Sequence, residues 1–140
     1  HVGRAMERAA ERRHGAVGPR YDRHVVLVMP AGHARDAWTQ ELWRAGFLVT
    51  AFGSAAEAEG VLVSQPVHAL VLDVAGDARM AERMHWWLRA VGRVEARVFA
   101  LGRARDEHPV AGVRGVTAGD PARFAAQLGA LLDVPPPPWG

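Results

Sequence analysis

His68 to Val74 reads HALVLDV, four apolar residues that run into a single carboxylate, Asp73, followed by one more apolar residue. Pro66 precedes the run and Gly76 follows it, so it is too short for a helix. A strand that is apolar at consecutive positions has both faces buried, which is the situation of a parallel strand covered by helices on two sides. In an open parallel sheet ligands collect at the carboxyl ends of the strands, so Asp73 marks the place where a site is expected.

Upstream, the pattern alternates between strand and helix. HVVLV at residues 24–28 is a second apolar run, closed by Met29 and Pro30. A helix is predicted from about His33 to Ala45, with Trp38, Leu42 and Ala45 spaced to make its core face and Gly46 to end it. FLVTAF at 47–52 is the next strand, and Ser54-Ala55-Ala56-Glu57 is a capping box that opens a second helix, buried through Ala58, Val61 and Leu62.

Downstream of Asp73 a helix is predicted over about residues 77–91, with Met80, Met84, Trp87, Leu88 and Val91 on its core stripe. Trp86 cannot share that stripe with Trp87, so one indole is expected to be exposed or at a contact. ARVFAL at 96–101 is a fourth strand and residues 113–117 a brief fifth. Residues 103–112 are polar and hold Pro109 and Gly112, leaving space for one helical turn at most between these strands. Asp120-Pro121 starts a last helix with Phe124, Leu128, Leu131 and Leu132 buried. This alternation implies an α/β fold. Short loops and right-handed crossovers favour a flavodoxin-like, five-stranded parallel sheet in the order 2-1-3-4-5, with helices on both faces and the fourth helix shortened.

At 140 residues the chain has the length of one domain, large enough to bury about two thirds of its unfolded surface. Residues 1–22 read as a helical extension or tail, 23–133 as the domain, and 134–140 as a proline-rich linker or tail. With His1 at its start, the chain is expected either to be a piece of a longer one or to carry an added residue at its start. It has no cysteine, which excludes disulfides, thiolate metal sites and cysteine nucleophiles. All 17 basic residues are arginine, so Schiff-base chemistry and lysine-dependent phosphate sites are excluded as well. A net charge of +2, without a basic stripe interleaved with aromatics, argues against a nucleic-acid face in the domain itself. No apolar run has the length of a membrane span and no secretory signal opens the chain, so a cytoplasmic protein is expected.

Gly46 to Val74, GFLVTAFGSAAEAEGVLVSQPVHALVLDV, resembles the receiver domain of response regulators, from the end of its first helix to its phosphoacceptor strand. The resemblance spans roughly residues 23–133 and puts Asp73 at the phosphoacceptor position. It implies four further parts, and each has been replaced. The two acidic Mg²⁺ ligands after the first strand correspond to Met29 and Pro30. The hydroxyl residue after the fourth strand corresponds to Leu101 or Gly102, and the lysine after the fifth to Ala118. The resemblance is therefore to a degenerate, or pseudo-, receiver, which implies a role in transcription or other signalling without enzymatic activity or cofactor. Its partner is expected to be another protein or a second copy, as a homodimer with Trp86 and Trp87 or the N-terminal helix at the contact. DNA would be bound only through an output module outside this chain. With cation and lysine gone, Asp73 is expected to be held by Arg103 or Arg105 of the loop after the fourth strand, or by backbone N–H groups.

A second resemblance rests on Gly32-His33-Ala34-Arg35-Asp36, which is similar to the loop of cobalamin-binding domains, where the histidine of a D-x-H-x-x-G motif ligates cobalt. His33 matches that histidine, whereas Ala31 and Asp36 stand where the motif has its aspartate and glycine. Glu82 and His85 have the i, i+3 spacing of a carboxylate-histidine metal pair, but the second pair that such a site needs is missing.

Overall fold

The computed structural model describes residues 23–74, 77, 79–102, 113–116 and 119–133. Five strands alternate with four helices among these residues: β1 (His24–Val28), α1 (His33–Arg44), β2 (Leu48–Phe52), α2 (Ala55–Ser64), β3 (Ala69–Asp73), α3 (Met80–Ala90), β4 (Arg97–Leu101), β5 (Val113–Val116) and α4 (Pro121–Asp133). The strands form one all-parallel sheet in the order β2-β1-β3-β4-β5, the flavodoxin-like arrangement expected from the sequence.

Successive side chains of a strand point to opposite faces, so each central strand feeds two cores. Val26, Val28, Leu70, Leu72, Val98 and Ala100 face α2 and α3, where they meet Ala58, Leu62, Met84 and Leu88. Val25, Leu27, Val71, Phe99 and Leu101 face α1 and α4, where they meet Trp38, Leu42, Phe124 and Leu128. On that side Phe124 bridges Trp38 and Phe99, with ring centroids 5.4 and 5.2 Å away.

Local signals set the element ends. The Ser54 hydroxyl accepts the Glu57 N–H at 3.3 Å and donates to the Glu57 carboxylate at 3.1 Å, which starts α2. Asp120 accepts the Arg123 N–H at 3.0 Å and starts α4. Gly46, at φ 99°, closes α1: its N–H reaches the Trp43 carbonyl and the next N–H, of Phe47, reaches Leu42. This paired closure is favoured by glycine's access to positive φ, and the Leu42 and Phe47 side chains then share one core. Gly92 closes α3 in the same way.

Several sequence expectations are corrected at these ends. Ala45 is an exposed cap residue and not part of the α1 core face. The helix α3 starts at Met80, because Asp77 lies in the preceding turn, and Val91 is its cap, 41% exposed. The buried stripe of α3 is Ala81, Met84, His85 and Leu88, with Met80 and Trp87 packed at its margin. The N-terminal extension, the shortened helix between β4 and β5, and the proline-rich tail fall on residues outside those described. Among the described residues no helix is long and apolar enough to cross a membrane.

The first residue of β1 is a buried histidine, His24, which is only 3% exposed. Its backbone N–H donates to His68 Nδ1 at 3.1 Å and its Nε2 lies 2.7 Å from the Thr50 hydroxyl. Burial lowers its pKa below the ordinary histidine value; a hydrogen bond to the Pro66 carbonyl opposes this and the neighbouring His68 adds to it. The folded chain therefore takes up this proton at lower pH than the unfolded chain does. The His24 contribution is complete above the unfolded value of about 6.5 and is lost as pH falls below it. The melting temperature is expected to be level above about pH 7 and to drop as the solution is acidified through the histidine range. His24→Gln should flatten that drop, measured by circular dichroism; an equal drop in the variant would rule His24 out as its source.

Candidate functional site at the carboxyl end of the sheet

The strand order sets β3 between β1 and β4, so the ends of these three strands meet at one edge of the molecule. Asp73 is the last residue of β3, half-buried and in register with Leu101 of β4. The Val74 N–H donates to the Leu101 carbonyl at 3.3 Å and so carries the ladder one residue beyond the carboxylate. Gly102 follows with φ 98°, and its N–H donates to the Val116 carbonyl at 3.0 Å. On the other side, the Met29 N–H donates to the Phe52 carbonyl at 2.9 Å, beyond the end of β1. Asp73, Met29, Pro30 and Gly102 are thus brought to one end of three adjacent strands. Ala118, Arg103 and Arg105 lie outside the described residues.

Among the described residues, this end supplies little to a cation. Met29 is buried in the core that also holds Trp38, so its thioether is turned into the protein, and Pro30 has neither a side-chain donor nor a backbone N–H. A hard divalent ion such as Mg²⁺ requires an octahedral set of oxygens. Asp73 contributes one carboxylate, and the residues at the end of β1 contribute none. Among the described residues no group of three or more His, Asp or Glu side chains is placed to hold a metal ion. The Mg²⁺ set that the receiver resemblance implies therefore does not fit here.

Two features of this end were not read from the sequence. Arg35, in the first turn of α1, donates from Nη1 to the Met29 carbonyl at 3.5 Å. A guanidinium thus approaches the strand end where the resemblance implies acidic residues. The second feature is the turn that leaves β3. The Asp77 N–H donates to the Val74 carbonyl at 3.0 Å, its carboxylate accepts the Arg79 N–H at 3.1 Å, and it pairs with Arg83. The hydrogen bond from Arg83 holds the Asp77 carboxyl below the ordinary range, against an opposing effect of desolvation. Asp77 therefore fastens the exit of β3 to α3. The Asp-x-x-x-x-x-Arg spacing is visible in the sequence, but it has no meaning until the turn is known.

Away from this end, the histidine and tryptophan candidates separate. His33 is the exposed first residue of α1, after Gly32 at φ 153°. With Ala31 before it, no carboxylate at that position is available to orient the imidazole as a cobalt ligand would require. His85 is turned into the core at 5% exposure, so Glu82 and His85 do not form an accessible metal pair. Trp86 is 52% exposed, with the His85 ring edge-on at 4.9 Å and the Arg89 guanidinium 6.0 Å from its centroid. Trp87 instead packs against the core, so the adjacent indoles do take different faces.

Compared with known protein families and curated proteins, the chain matches no family model and no curated sequence. Hydroxocobalamin mixed with the chain and passed through a desalting column should leave no retained colour. Retention that disappears in His33→Ala would contradict this.

Proposed function

We propose that the chain is an atypical, receiver-like domain of a regulatory protein, which acts by contact with another protein or with itself and not by conventional Mg²⁺-dependent aspartyl phosphorylation. The observation that carries this reading is Asp73 at the end of the middle strand, next to a β1 end occupied by a buried Met29 and by Pro30. A phosphoryl dianion approaching such a carboxylate meets a like charge; the chain has no lysine to neutralise it, and among the described residues no group of three or more His, Asp or Glu side chains is placed to hold a metal ion that could. The remaining asset of the domain is its surface. Trp86, half exposed on α3 beside His85 and Arg89, is an aromatic of the kind that anchors protein contacts. On this reading the domain works in the cytoplasm, has no enzymatic activity or cofactor, and affects transcription only through a module elsewhere in its protein.

The experiment is treatment with acetyl phosphate, or with beryllofluoride, in the presence of Mg²⁺. The expected result is an unchanged mass and no amide shifts around residues 73–74 and 101–102. A mass gain or a cluster of shifts that disappears in Asp73→Asn would overturn the reading. Asp73→Asn should instead alter thermal stability or partner binding.

A further inference from the structure

The two edges of the sheet differ. The β5 edge carries Arg114, exposed, and Gly115. The β2 edge reads Leu48-Val49-Thr50-Ala51-Phe52, with no charge, no proline and an unbroken register against β1. Natural sheets blunt their free edges with charges, prolines or bulges, because an open edge is a template for another strand. β2 lacks all three.

The open groups on β2 can be assigned. Within a strand the N–H and C=O of one residue point to the same side, and the side alternates along the chain. The Leu48 N–H donates to the Arg23 carbonyl and the Phe52 carbonyl accepts from Met29, so Leu48, Thr50 and Phe52 bond toward β1. Val49 and Ala51 therefore aim their N–H and C=O groups away from the sheet, and among the described residues none pairs with them. Leu48 is 47% exposed beside them. On the α1 side of the sheet the edge is flanked by a groove lined by Asp36, Thr39, Gln40, Trp43 and Val49.

We propose that this edge pairs with the same edge of a second copy of the chain, antiparallel and about a two-fold axis at Thr50. In that register Val49 exchanges hydrogen bonds with the partner's Ala51, and symmetry repeats the exchange. Leu48 stands opposite the partner's Phe52, so an exposed apolar side chain is covered by another on the same face of the sheet. Residues near a two-fold axis meet their own copies, which favours uncharged ones; Thr50, Thr39 and Gln40 satisfy this. The two copies of α1 run antiparallel, which sets the acidic first turn of one, at Asp36, toward the last turn of the other, where Arg44, paired with Glu41 at 3.0 Å, stands at the negative end of the helix. Trp86 lies on α3, over the β4 and β5 side of the sheet, and stays accessible to a different partner. This inference names a partner for the contact reading proposed above and rests on that reading only for the idea that the domain acts by association. The phosphorylation test can fail or succeed independently of it.

The test is sedimentation of the full chain over a concentration series, combined with amide exchange read at Val49 and Ala51. The expected result is a dimer at high concentration, with the Val49 and Ala51 amides slowing as its fraction rises. Leu48→Lys puts a charge on the edge, and Ala51→Pro removes one outward N–H without touching the β1 ladder. Each should weaken dimerisation roughly tenfold or more, about 1.4 kcal/mol, with the far-ultraviolet spectrum unchanged. A monomer at every concentration overturns the proposal. So does a dimer whose Val49 and Ala51 amides exchange fast, since it would use another face. Slow exchange at every concentration in a monomer also overturns it, because a segment of the same chain or a bound peptide would then hold the edge.

Discussion

The middle of this sheet is enclosed on all four sides. β3 has β1 and β4 beside it and a helical layer on each face, so every backbone group along it must be paired and every side chain must be apolar. Ala69 to Leu72 meet this condition with complete burial. A carboxylate within the run would have to be desolvated, at a cost of several kcal/mol. The strand end is where an ionisable group is tolerated, and Asp73 stands there, half-buried. The same enclosure limits the chemistry available to Asp73, because the ends of β1 and β4 and the loops that leave them are among its neighbours.

Among the described residues those ends are chemically sparse. A thioether packed into the core and a proline follow β1, and a glycine at positive φ follows β4. Two polar side chains described there serve structure: Arg35 is tied to the Met29 carbonyl and Asp77 to Arg83 and the turn into α3. Functional capacity on our reading has moved from the strand ends to the surface. An exposed indole on one flank of the sheet and an unguarded strand on the other are features that a folded domain retains at some cost in solubility.

The sheet order and most element positions were legible in the sequence because the signals were local and mutually consistent. HVVLV and HALVLDV are too short and too evenly apolar for anything but buried strands, and Ser54, Gly46 and Asp120 act as caps through contacts with residues three or four positions away. What was not legible depended on tertiary neighbours. His24 is the polar first residue of the HVVLV run, and its burial rests on Thr50 and His68, far away in sequence. His85 reads as polar but lies on the core stripe of α3, while Val91 reads as core but falls beyond the last turn and is exposed. Of the candidate site, Asp73 and the replaced positions Met29, Pro30 and Gly102 were visible. Arg35 was not, because its reach back to the Met29 carbonyl depends on the angle at which α1 leaves the sheet.

On the proposed reading the carboxyl end of β3 is not a divalent-cation site. Titrating the isotopically labelled chain with Mg²⁺ alone, following the amides of Met29, Asp73, Val74 and Gly102, checks this. No saturable shift is expected at any of the four at millimolar Mg²⁺, only the small uniform drift of rising ionic strength. A saturable shift shared by these residues and lost in Asp73→Asn would show a cation held between the ends of β1 and β3, and would contradict it.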